Sequence, residues 1–152
     1  MYSSSEDKEI VRRVFEALVA VDADSMNELL SNDFVAHSMP SGFSEDKRGF
    51  IELSSHWAAG FSDDDTTLDE VLAAEDGKVV TRFTTRATHT SEVFGVPASN
   101  RSVTFTGIEI YSVADGQVTD WWAEINMDDL FNPAHEVTSP DEQDIRVNRL
   151  SE

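Results

Sequence analysis

The spacing of apolar residues changes period near Thr66, and that change sets the fold class. Before it, Ile10, Val11, Val14, Phe15, Leu18 and Val19 recur at helical spacing, with Arg12, Arg13 and Glu16 opposite. Ser3 and Glu6 have the spacing of a capping box for this helix. A short second helix is expected near Asp24 to Leu30, and a third from about Arg48 to Gly60 with Phe50, Leu53 and Trp57 on its apolar side. Between them, "DFVAHS" (Asp33 to Ser38) reads as a strand and "MPSGFSEDKRG" as a loop. Beyond Thr66 the period is two. "KVVTRFTTRATHT" and "SVTFTGIEIYSV" are long runs of β-branched and aromatic residues, "QVTDWWAEIN" is a last strand, and "TTLDEVLAAE" precedes them all. Asp76-Gly77 and Asp115-Gly116 are hairpin turn signals. "MDDLF" begins a short helical turn. Helices first and an antiparallel meander after them predict an α+β fold.

Charge narrows the function classes. Eleven Lys plus Arg face 30 Asp plus Glu across 152 residues, a net charge of −19, and the lysines are Lys8, Lys47 and Lys78 alone. Phosphate contacts need clustered cations, so neither nucleic acid nor an anionic membrane is an expected partner. No apolar run is long enough to span a bilayer, and the polar start "MYSSSEDKEI" lacks the layout of a secretory signal. The chain has no cysteine, which removes disulfides, thiolate nucleophiles and Cys-ligated zinc. A cytoplasmic location is expected. The acidity, spread along the chain, has the character of a protein from a high-salt cytoplasm, with an ordinary acidic protein as the rival. One domain is expected over residues 1–132, followed by a polar, acidic tail over 133–152. Two readings of that tail stay open: a helix started by Ser139, Pro140 and Glu142, or a frayed end.

Local motifs are few. Four histidines are too scattered for a metal site, and there is no H-E-x-x-H, G-x-S-x-G, P-loop or dinucleotide fingerprint. "SDDDTTLDE" lacks the glycine and spacing of a calcium loop and reads as a solvated, acidic connection. Asn100-Arg101-Ser102 matches a glycosylation sequon, without a secretion signal to give it meaning.

The strand faces say more. Val103, Phe105, Gly107, Glu109, Tyr111 and Val113 share one face. Glu109 is then either on a solvated face or a carboxyl held among apolar residues; burial would raise its pKa and suit it to acid–base work. On the last strand Trp121, Ala123 and Ile125 oppose Trp122, Glu124 and Asn126. Both faces are therefore covered, one by helices and one by a second subunit. Glu124 reaches either a pocket or a subunit rim. His89 shares a face with Thr81, Phe83 and Thr85, and His37 ends the first strand; each is either structural or a proton carrier.

"KEIVRRVFEALVAVDADSMNELLSNDFVAHS", "RGFIELSSHWAAGFSD" and above all "THTSEVFGVPASNRSVTFTGIEIYSVADGQVTDWW" resemble the SnoaL-like polyketide cyclase family. The resemblance implies a cone-shaped α+β fold shared with ketosteroid isomerase and nuclear transport factor two. Three helices close on a strongly curved antiparallel sheet around a pocket, and homodimers form through the outer sheet face. It places the loop of Val93, Phe94, Val96 and Pro97, unexpectedly apolar for a turn, near the cone, packing back onto the helices or the partner subunit. The implied activity is ring closure or isomerisation of a small apolar carbonyl or ester-like substrate by proton transfer, with no metal or organic cofactor. The family's catalytic Asp falls on Ala123, its partnering His on Glu109, and an Asn on Ala36 beside His37. The family's machinery is thus not reproduced, and the candidate catalytic residues that replace it are Glu109 as base and His37 as donor. Tyr111, Phe105, Trp57, Phe83, His89, Glu124 and Asn126 are expected to line the pocket, with Tyr111 and Asn126 as further donors. A non-catalytic, ligand-binding dimer is the alternative that Ala123 raises.

Overall fold

A computed structural model describes residues 3–132; the tail expected over 133–152 lies outside the described residues. The order is α1 (Ser4–Ala20), α2 (Ala23–Leu29), β1 (Leu30–Ala36), α3 (Lys47–Ala59), β2 (Phe61–Ala73), β3 (Lys78–His89), β4 (Ser102–Ala114), β5 (Gln117–Asn126) and α4 (Asp128–Phe131). The capping box forms: the Ser3 hydroxyl accepts from the Glu6 amide, and the Glu6 carboxylate accepts from the Ser3 amide. Both Asp-Gly pairs turn with positive φ at each residue, 58° and 71° at Asp76-Gly77 and 51° and 80° at Asp115-Gly116, the geometry that matches strand twist.

The five strands lie in the order β1-β5-β4-β3-β2 and form the open, curved sheet of the cone fold. Its meander is antiparallel, but β1 joins β5 in parallel, so the sheet is mixed, contrary to the all-antiparallel expectation. The reason is topological: the chain leaves β1 through α3 and re-enters the sheet with β2 at the opposite edge, and the meander then brings β5 alongside β1. A second correction concerns "SDDDTTLDE", which is strand and not a connection. β2 starts at Phe61 and carries its carboxylates along the exposed edge, with register breaks at Ser62/Asp65 and Leu68/Glu70. Charged, bulged edges resist pairing with other chains. Asp69 and Glu70 are held by Arg82 on β3.

The core has two lobes. One gathers Val11, Val14, Met26, Leu30, Phe34, Phe50 and Trp121 beneath the helices. The other gathers Phe61, Val93, Val103, Phe105 and Leu130. The β3–β4 loop belongs to this second lobe. Val93 is fully buried and pairs with Val96 through two backbone bonds of 3.1 and 2.8 Å around a turn at Phe94 (φ 48°) and Gly95 (φ 79°). Gly60 ends α3 so closely under this loop that an added Cβ would stand 2.7 Å from a Val93 methyl. Phe94 lies against His56 and Trp57 of α3, and Val93, Phe94 and Val96 pack into this lobe, whereas Pro97, also expected to pack back, is exposed.

Candidate functional site

Between helices and sheet lies a cavity of about 700 Å³. α1 contributes Phe15, Leu18 and Val19; α3 contributes Phe50, Leu53, Ser54, Trp57 and Ala58. The sheet supplies Phe83, Thr85, Glu109, Trp121, Ala123 and Ile125, and Phe94, Met127 and Phe131 stand around them. A volume of this size is in the range of small-molecule sites. Its walls are apolar because the period-two faces of β3, β4 and β5 and the apolar stripes of α1 and α3 converge on it.

Glu109 is 4% exposed and lies on the floor. Strand pairing sets it between Thr81 and Ala123. Its Oε1 accepts from the Thr81 hydroxyl at 3.0 Å, and its Oε2 from the Trp121 indole N–H at 2.8 Å. Burial pushes its pKa up, and the hydrogen bonds from Trp121 and Thr81 hold it back only in part. Tyr111, beneath it, is fully buried and its hydroxyl makes no hydrogen bond of good geometry among the described residues. Burial and the neighbouring Glu109 charge push that phenol well above its usual value. Opposite Glu109, the methyl of Ala123 leaves the carboxyl approachable from the cavity. Such a group can take a proton from a carbon acid when ionised and return it when protonated.

The other expected site residues divide. Trp57 and Phe83 line the cavity with Glu109. Phe105 is completely buried behind the wall, edge-on to Trp57 and Phe61, and Tyr111 packs in the first lobe; neither lines the cavity. His89 is buried, its Nδ1 3.3 Å from the Ser99 hydroxyl and its Nε2 without a partner among the described residues, but it stands beside Phe61 outside the cavity. His37 is on the opposite face of the sheet. It stacks on Trp122 at 4.5 Å and its Nε2 meets Asp120 Oδ1 at 2.9 Å. Partial burial raises the Asp120 pKa, but hydrogen bonds from His37 and Thr119 outweigh it and hold the carboxyl below its usual range. Alternation explains the placement: Ala36 is buried, so His37 points outward and Ser38 returns to the cavity. Glu124 and Asn126 are exposed for the same reason, two and four residues beyond the outward Trp122; the Asn126 carboxamide accepts from the Asp128 amide.

Sequence reasoning missed Thr81 and Trp121 as the partners of Glu109, and Asp64, Thr66 and Thr85 as polar lining. The Thr81 and Thr85 face was visible in the alternation. Its pairing with Glu109 was not, because a 12-residue connection separates the strands.

Fold and site together define a helix-covered cone with a buried acid in its floor. The sequence profile of the SnoaL-like polyketide cyclase family matches residues 8–132, and the chain belongs to that family. Solved structures agree in fold. TsrD from Streptomyces laurentii superposes with a TM-score of 0.73 at 20% identity, covering 84% of this chain and 92% of that one. IdmH from Streptomyces antibioticus, a proposed polyketide cyclase, gives 0.72 at 22% identity, covering 86% and 99%. AclR from Streptomyces galilaeus, a proposed hydroxylase, gives 0.68 at 26% identity, covering 82% and 92%. No curated protein matches the chain. Among the described residues no helix is long and apolar enough to cross a membrane.

Proposed function

We propose that this protein moves a proton at the carbon next to a carbonyl in a small apolar substrate, as a ring-closing or isomerising enzyme that needs no metal or organic cofactor. The observation that carries this reading is Glu109: a carboxyl with a raised pKa, opening onto an apolar cavity and steadied by Thr81 and Trp121. Its pKa moves toward neutrality, where a group serves both as base and as acid. Ionised Glu109 takes the proton; the protonated carboxyl then hands it to the product carbon or oxygen. His37, on the outer face, has no part in this proposal.

Deuterium incorporation beside the carbonyl of aromatic ketones, followed by NMR, tests it. Glu109→Gln keeps the shape and removes the base, so exchange is expected to fall by about 10²-fold or more. Exchange that survives undiminished would show that Glu109 is not the base.

Ala123, at the position matched to the family's catalytic Asp, favours a second reading in which the cavity binds without turnover. Native mass spectrometry of freshly purified protein separates the two: a ligand retained without conversion supports binding alone. A homodimer through the outer sheet face fits either reading, because Ile108 and Ile110 are 52% and 37% exposed there. Light scattering that reports a monomer would remove it.

A further inference from the structure

The cavity has a second polar end, remote from Glu109. Thr85 of β3 lines it and is 4% exposed. Its hydroxyl lies 2.9 Å from that of Thr66, its strand partner on β2, and the Thr66 hydroxyl donates to Asp64 Oδ1. Both Thr66 and Asp64 also line the cavity, Thr66 half-buried and Asp64 exposed at its rim. Asp64 is reached through the register break between Ser62 and Asp65, the kind of irregularity that re-aims a side chain.

The direction of this chain of hydrogen bonds is fixed by its end. A carboxylate only accepts, so the single Thr66 proton goes to Asp64. Thr66 therefore cannot donate to Thr85, and the Thr85 proton goes to Thr66. What Thr85 turns toward the cavity is oxygen lone pairs. This end accepts hydrogen bonds and rejects groups that only accept.

The two ends are set apart by strand geometry. Thr81, which holds Glu109, and Thr85 are four residues apart on one face of β3, about 13 Å along the strand. Phe83 lies between them, and its ring is part of the cavity wall. We infer that the cavity selects an elongated apolar ketone bearing a hydroxyl or other hydrogen-bond donor at the end remote from its carbonyl. The carbonyl end rests on the reading of Glu109 given above; the donor end does not.

A pair of rigid probes tests this: 4-acetyl-4′-hydroxybiphenyl and its 4′-methoxy analogue, each with exchangeable protons on the acetyl methyl. Calorimetry on the full chain is expected to give the hydroxyl probe about tenfold tighter binding than the ether. Thr85→Val, close in shape, is expected to reduce that preference to about twofold or less, by weakening the hydroxyl probe and relieving the rejection of the ether. Thr66→Val, which breaks the chain one link further out, serves if Thr85→Val does not fold, and is expected to weaken the preference as well. Equal affinity for the two probes in the unsubstituted protein, or a preference that persists in both variants, overturns the inference. Deuterium exchange at the acetyl methyl reads Glu109 separately. If Glu109→Gln leaves exchange intact while Thr85→Val abolishes the hydroxyl preference, the base assignment fails and the donor-selecting end stands.

Discussion

The indole N–H of Trp121 donates to Oε2 of Glu109 at 2.8 Å, across neighbouring strands and inside the buried floor of the cavity. That bond favours the ionised carboxylate. Burial opposes it and prevails. Trp121→Phe removes the donor, so the Glu109 pKa is expected to rise further. With the folded pKa above the unfolded value, the folded state binds more protons between the two, and stability falls as pH rises through that window. Trp121→Phe is therefore expected to lose about 1–3 kcal/mol near neutral pH and less near pH 5, where Glu109 carries its proton more often. Urea titrations at both pH values check this; an equal loss at each would detach Trp121 from the charge of Glu109.

Gly107 is the bare spot on β4 over which the Phe83 ring lies. A Cβ there would stand 2.4 and 2.6 Å from two Phe83 ring carbons, with Ile125 at 3.2 Å behind. Gly107→Ala must push the ring away, at a cost of about 1–3 kcal/mol for overpacking. Because Phe83 lines the cavity between its two polar ends, ligand affinity is expected to fall along with stability. An unchanged melting temperature with unchanged binding would contradict the contact.

The net charge of −19 leads to a proposal about environment: the fold is held against its own repulsion by concentrated salt. The edge strand β2 alone carries Asp63, Asp64, Asp65, Asp69 and Glu70. At about 1 M salt the screening length is about 3 Å, short enough to quiet such neighbours. The thermal midpoint is expected to climb steadily from dilute buffer to molar potassium chloride. A midpoint that does not move with salt would mark an ordinary acidic protein.

Much of this was legible in the chain because it was written in periods. The helices, the long strands and both Asp-Gly turns follow from local spacing, and so does the shared face of Phe105, Glu109 and Tyr111. What alternation within a strand could not tell is which tryptophan meets Glu109. Counting inward from the Asp115-Gly116 turn with Ala114 opposite Gln117 would set Glu109 against Trp122. A register break between Ser112 and Val113 moves the pairing by one, to Ala123, and turns Trp121 inward. His37 was misjudged for a related reason: nearness in sequence to the site says nothing about face, and Ala36 at the end of β1 and Ser38 just beyond it turn inward on either side of it. Asp64 was hidden because a run of acids looks solvated, and Asp64 does stay exposed; only its place at the cavity rim and its bond from Thr66 set it apart.

Titration of the glutamate carboxyl carbons by ¹³C NMR, with Glu109→Gln to assign the signal, reaches the central claim most directly. One resonance, missing in the variant, is expected to titrate clearly above the ordinary glutamate value of about 4.3 and to shift further when a ketone fills the cavity. A Glu109 signal that titrates with the surface glutamates would contradict a buried acid poised for proton transfer.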